Sequence, residues 1–315
     1  MNVKSGAPEA PRFFIFSFLY ILYYMELTQY ITPKQKDYEL IDAGEGMKLE
    51  RFGAYTLMRP DPQALFPKTL DESHWQKADA RFLRKGTHTE WIINQKLPAS
   101  WVIEYGNLKL QIKPTSFKHV GLFPEQLSNW IWIEKTIKQS KRKDIKVLNL
   151  FGYTGGASLA ALHAGAEVTH IDGSKATYTW GKKNQELSGL QTGKIRWLID
   201  DTMSFLKKEI KRKNTYDAII MDPPSFGHGP NGELWKIEEH FIELMNLCQK
   251  VLSDKPLFFV VNGYGSGFSP IAYKNNLLFL EAQFGGSFEY GELLLETTAD
   301  TQKKLPTGFV VRWKK

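Results

Sequence analysis

The chain has 315 residues, 42% hydrophobic and 24% charged, the make-up of a folded protein with room for one large domain and a smaller companion. A formal net charge of +7 permits a nucleic-acid partner without establishing one. The single cysteine, Cys248, excludes an internal disulfide and fits a reducing cytosol, so a cytoplasmic location is expected. Scattered histidines with no cysteine cluster give no expectation of a metal site.

Phe13 to Met25 is almost wholly apolar but shorter than the roughly 20 residues that a spanning helix needs. Glu26-Leu27-Thr28-Gln29 supplies no small-residue cleavage site, so a signal peptide is not expected. Met25 reads as the natural start, with residues 1–24 a non-native or unstructured extension; a weak membrane tether is the alternative.

Residues 25–123 read as a small antiparallel β domain. Tyr38–Asp42 leads into the turn Gly44-Glu45-Gly46, and Trp91–Ile93 forms a further strand. Trp101–Tyr105 and Leu108–Ile112 flank Gly106-Asn107, a hairpin signal.

From Pro124 to residue 315 the pattern becomes strand, helix, strand. Strands are expected at Lys146–Leu150, Glu167–Ile171, Ile195–Ile199, Asp217–Met221 and Pro256–Val261, and helices at Ala157–Ala164 and Lys175–Leu187. This spacing predicts an α/β fold, a Rossmann-like parallel sheet covered by helices. Leu293–Thr297 and Phe309–Trp313 close it as an antiparallel terminal hairpin.

The first strand turns into the first helix through Asn149-Leu150-Phe151-Gly152-Tyr153-Thr154-Gly155-Gly156. The dinucleotide fingerprint, whose second glycine admits a pyrophosphate, is absent. S-adenosylmethionine carries no phosphate, and a looser loop suffices for it; the expected contacts are Phe151, Gly152, Tyr153, Thr154 and Gly155. A tight structural turn is the plainer reading. Asp172 ends the second strand about twenty positions after Gly152, where a carboxylate can accept both ribose hydroxyls. Gly173 and Ser174 follow it. Asp172 or Ser174 could equally cap the next helix. Asp201, followed by Thr202, ends the third strand and suits the adenine amino group; Asp200 is the alternative, and a solvated turn the plainer reading.

Met221-Asp222-Pro223-Pro224-Ser225-Phe226-Gly227 follows the fourth strand. The prolines stiffen the backbone and are expected to turn their carbonyls outward as acceptors. Asp222, Pro223 and Pro224 could then hold an amine or ring nitrogen in line with a methyl donor, while Phe226 offers a face for stacking a base.

These segments, with Phe117–Gln126, resemble class I methyltransferases related to the bacterial 23S ribosomal RNA enzymes of the cytosine-C5 and guanine-N7 types. The likeness runs over roughly residues 37–315. It implies S-adenosylmethionine as cofactor, RNA as partner, and contact of Gln126 with the cofactor. The cytosine-C5 enzymes carry a cysteine nucleophile after the fifth strand, where this chain has Val261-Asn262-Gly263-Tyr264-Gly265. Cys248 instead falls on the helical stripe Phe241, Leu244, Met245, Cys248, Leu252 and reads as core. A base nitrogen is therefore the expected acceptor, exocyclic or in the ring. A protein side-chain amide, a small molecule, or RNA binding without turnover are the other readings. The runs Lys141-Arg142-Lys143 and Lys211-Arg212-Lys213 read as solvated charge at the far edge of the sheet. Lys118 and His228, then Lys236, Lys303 and Lys304, are the candidates for substrate contact.

Overall fold

The computed structural model describes residues 28–85, 88–94, 96–116, 118–264 and 267–315. The reading of residues 1–24 lies outside the described residues, as do Phe117 and Gly265.

An eight-stranded sheet forms the body. Its spatial order is Thr28–Ile31, Ser287–Glu296, Lys304–Lys314, Phe258–Gly263, Ala218–Met221, Lys146–Leu150, Glu167–Asp172 and Ile195–Ile199. The last five are mutually parallel. Val147, Leu148 and Leu150 are buried, as are Ala218 through Met221, because a central parallel strand is covered on both faces. The chain first builds outward from Lys146–Leu150 on one side, then on the other. A crevice therefore opens between that strand and Ala218–Met221 at their carboxyl ends.

The terminal hairpin is longer than its apolar cores alone suggest. Ser287–Glu296 pairs with Lys304–Lys314, which pairs antiparallel with Phe258–Gly263. Thr28–Ile31, grouped by sequence with the β portion, instead lies parallel to Ser287–Glu296 at the edge of the large sheet. Gly291 makes that approach possible: a Cβ there would sit 1.9 Å from the Thr28 carbonyl oxygen.

The smaller sheet orders Tyr38–Gly44, Met47–Phe52, Tyr55–Pro60, Ala80–Lys85 and His88–Ile93. It is antiparallel except between Tyr55–Pro60 and Ala80–Lys85, where the connection through the short helix Glu72–Trp75 brings the chain back parallel. The hairpin Trp101–Tyr105 with Leu108–Ile112 forms in the expected register, Tyr105 opposite Leu108. Tyr38, Phe52, Ile103 and Tyr105 from this portion share one apolar cluster with Trp130, Val147 and Leu293 of the large sheet and its helices. Burial of one continuous core holds the two sheets together.

Candidate active site

A cavity of about 670 Å³ opens at the carboxyl ends of the parallel strands, a size suited to a small-molecule cofactor. It gathers most of the residues singled out from sequence. Phe151, Gly152, Tyr153, Thr154, Asp172, Gly173, Ser174, Asp201, Thr202, Asp222, Pro223 and Pro224 line it, with Gln126, Lys118 and His228. Gly155 and Phe226 are not part of its wall.

The loop after Lys146–Leu150 is held in an unusual conformation. Phe151 and Tyr153 have φ of 55° and 52°, a region that non-glycine residues seldom occupy. Three hydrogen bonds fix it: Gly152 N to the Ile171 carbonyl (3.0 Å), Tyr153 N to Asp172 Oδ2 (2.8 Å) and Thr154 Oγ1 to the Gly121 carbonyl (2.7 Å). Gly152 is required by packing, since a Cβ would lie 2.3 Å from the His170 ring beneath it. That ring is buried and neutral, its pKa pushed down to about 3 by desolvation. Gly155 is also structural: its φ of 88° starts the next helix, and a Cβ would meet Trp197 at 2.6 Å.

Asp172 accepts from Tyr153 N, Ser174 N (2.9 Å) and Thr177 Oγ1 (2.7 Å). Burial raises its pKa although these donors oppose the shift. Ser174 supplies the helix cap, so Asp172 is an oriented acceptor on the cavity wall. Asp201 caps the helix Thr202–Arg212 through Oδ1 and Ser204 N (2.8 Å) while still lining the cavity. Asp200, also in the wall, pairs with Lys208 at 2.8 Å.

Asp222 sits where Ala218–Met221 ends. Burial lifts its carboxyl to about pKa 6, and Gln126 Nε2 approaches Oδ2 at 3.4 Å. The two prolines do not both present free carbonyls: Trp235 Nε1 donates to the Pro224 carbonyl at 2.6 Å. Phe226 departs from expectation as well. Directly after Ser225 the chain forms a short hairpin, Phe226–His228 with Leu234–Lys236, that keeps Gly227 and His228 on the cavity wall but turns the Phe226 ring away from it, 57% exposed and edge-on to His228 at 5.3 Å. The tip of that hairpin lies near the second strand end: a Cβ added at Gly173 would come into ordinary contact with Pro230, Gly229 and His228.

Sequence reasoning gave no role to Glu125, a buried carboxyl in the wall, raised to about pKa 7 chiefly by desolvation, with a smaller contribution from Asp222. Its only sequence signal was membership of the Phe117–Gln126 segment. Asn262, near the end of the strand Phe258–Gly263, and Tyr264, just beyond it, also line the wall. Lys118 Nζ lies 5.9 Å over the Tyr264 ring, and burial lowers its pKa. Lys236 pairs with Glu239, Lys303 bonds the Pro67 carbonyl and Lys304 bonds Gln29. None of those three lysines lines the cavity. Arg142, read as solvated charge, is bound to Asp217 at 2.6 Å. Cys248 is fully buried, its thiol pKa driven upward by desolvation. Among the described residues, no group of three or more His, Cys, Asp or Glu side chains is arranged to hold a metal, and no helix is long and apolar enough to cross a membrane.

A model of the S-adenosylmethionine-dependent methyltransferases matches residues 74–245. The chain belongs to that family. A crystal structure of an S-adenosylmethionine-dependent methyltransferase from Agrobacterium tumefaciens is 37% identical, covering 91% of this chain and 93% of that one, with a TM-score of 0.86. Ribosomal RNA large subunit methyltransferase K/L from Shewanella frigidimarina is 31% identical over 54% of this chain and 23% of its own length. The protein of the same name from Pseudoalteromonas atlantica is 28% identical over 73% and 29%. The chain thus spans less than a third of the length of these two relatives. The chemistry of the cavity suits the family cofactor: it offers oriented carboxylates beside apolar side chains such as Leu122, Phe123 and Phe151. The methyltransferase's cofactor is S-adenosylmethionine, which supplies an electrophilic methyl group on a sulfonium.

Proposed function

We propose that this methyltransferase modifies a nitrogen of an RNA base, in ribosomal RNA, by direct in-line transfer in the cytoplasm. In this reading residues 124–315 carry the chemistry and residues 25–123, apart from Thr28–Ile31 at the edge of the large sheet, form the flanking β unit. Asp172 accepts the ribose hydroxyls and Asp201 the adenine amino group. Phe151 to Gly155, Gly173, Ser174 and Thr202 shape the rest of the cofactor site, and Gln126 borders the reacting centre. Asp222 and the Pro223 carbonyl orient the acceptor nitrogen, and the Asp222 carboxylate receives the positive charge that develops on it. Lys118 and His228 flank the acceptor, and the exposed Phe226 ring offers a stacking face outside the cavity.

The observation that carries this reading is a half-buried, desolvated and ionisable Asp222 in the cavity wall, in a chain whose one thiol is sealed in the core. Attack on a ring carbon would need a nucleophile to activate the ring; a nitrogen needs only positioning and charge stabilisation. The names of the K/L relatives support RNA as the acceptor. Incubation of ribosomal RNA from a strain lacking the gene with tritiated S-adenosylmethionine, followed by nucleoside mass spectrometry, tests it. An N-methylated base is expected. Label in protein or small molecules and none in RNA would refute the substrate.

A further inference from the structure

Arg312, in the strand Lys304–Lys314, is only 3% exposed, and no carboxylate among the described residues lies within ion-pair distance of it. The cross-strand Glu289 is engaged by Trp132 Nε1 (3.2 Å) and Lys314 (3.5 Å). An isolated buried cation is costly, and it persists only where other groups compensate. Here the compensation is the faces of Tyr30 (4.3 Å) and Trp132 (5.6 Å), and one amide oxygen. Nε and Nη2 both donate to Asn129 Oδ1, at 2.9 and 2.6 Å, and Nη2 reaches Ser128 Oγ at 3.4 Å.

A guanidinium has donors and no acceptor, so it dictates which end of the Asn129 amide faces it. Asn129 Nδ2 must then point away, and it donates to Gln126 Oε1 and to Asn262 Oδ1, both at 2.8 Å. Each of those amides is turned in consequence. Gln126 Nε2 faces Asp222 Oδ2 at 3.4 Å, and Asn262 Nδ2 faces the Met221 carbonyl at 3.4 Å. Two branches from one buried cation end on adjacent residues at the head of the catalytic motif.

We propose that Arg312 is a positioning residue for methyl transfer: by fixing the direction of the Asn129 amide, it makes Gln126 a hydrogen-bond donor to the Asp222 carboxylate. The inference rests on the reading of Asp222 given above. Without Arg312 the two amides can turn over, bring Gln126 Oε1 against the carboxylate, and favour its protonated form. The other titratable groups around Asp222 are Glu125 from the turn ahead of the helix Leu127–Ser140, Lys118 and His119 from the segment before it, Tyr264 after the fifth strand, His228 on the hairpin, and Tyr153, Asp172, Asp200 and Asp201 on the cofactor side. None is altered in the variants below.

The test follows the Asp222 carboxyl by NMR pH titration of the full chain, alongside the pH profile of kcat/KM on hypomethylated ribosomal RNA. Arg312→Met and Asn129→Leu should each weaken Asp222 ionisation about three- to tenfold, the scale of one hydrogen bond to a charge. Activity near pH 6 should fall about two- to fivefold, approach the full factor at lower pH, and recover within about twofold near pH 8.5. The double variant, which removes both buried partners and is the one most certain to fold, should show no larger shift than either single change, as members of one relay do. Arg312→Lys, still a donor-only cation, should keep the wild-type titration. Asn129→Leu leaves the Arg312 charge in place, so an unchanged Asp222 titration in that variant, or additive shifts in the double, would overturn the relay. If the single variants do not fold, an unchanged titration in the double overturns it. Full turnover in Asp222→Asn would instead overturn the underlying reading, while the titration would still judge the relay.

Discussion

Asparagine at position 222 keeps the shape of the side chain and removes its ionisation, which separates what the carboxylate does for catalysis from what it costs the fold. Burial moves the Asp222 carboxyl from 3.8 to about 6. Ionising it in the folded protein therefore costs roughly 3 kcal/mol more than in the unfolded chain. The folded state binds the proton more tightly, so wild-type stability falls as pH rises from about 4 to about 6 and is level above that. Asp222→Asn escapes this fall. It should match wild type near pH 4 and exceed it by about 2–3 kcal/mol at pH 7–8, the lower figure allowing for the Gln126 hydrogen bond to the charge. Urea unfolding of the cofactor-free protein at several pH values measures the difference. The same variant should lose turnover by roughly a hundredfold or more. A stability difference that does not grow between pH 4 and 7 would refute the desolvated, destabilised carboxylate; undiminished turnover would refute its role in transfer.

Asp172→Ala removes an oriented charged acceptor and should weaken S-adenosylmethionine binding by about 1.5–3 kcal/mol in titration calorimetry; unchanged affinity would reject the ribose assignment. Cys248→Ser should retain methyl transfer apart from any loss of stability, because the thiol is walled into the core, and an inactive but folded variant would contradict a nitrogen acceptor. Phe226→Ala should leave the melting temperature nearly unchanged, the ring being exposed, while weakening RNA binding by about 1–3 kcal/mol; equal RNA affinity would remove stacking from the account.

The order of strands and helices from Lys146 to Met221 could be read directly, because a buried parallel strand must be a short unbroken apolar run and its helices carry period and caps. For the same reason the strand ends announced Asp172, Asp201 and Asp222: a fold that turns at those points exposes whatever follows them. Cys248 was equally legible from the stripe it shares with Leu244 and Met245. Thr28–Ile31 was not, since four residues with little burial carry no signal of the distant edge they pair with.

Sequence alone thus determined the α/β class and the local identity of the strand-end residues, which follow from short-range pattern, and the family-level chemistry, which came from the resemblance those residues carry. Tertiary structure decided what those residues face. It turned Phe226 out of the crevice, gave the Pro224 carbonyl to Trp235, and brought Glu125 beside Asp222. It also joined Arg312 to Gln126 through Asn129, three residues whose relation no spacing encodes. Hydrogen-bond direction and desolvation depend on which groups share a small volume, and that is fixed only when distant segments pack together.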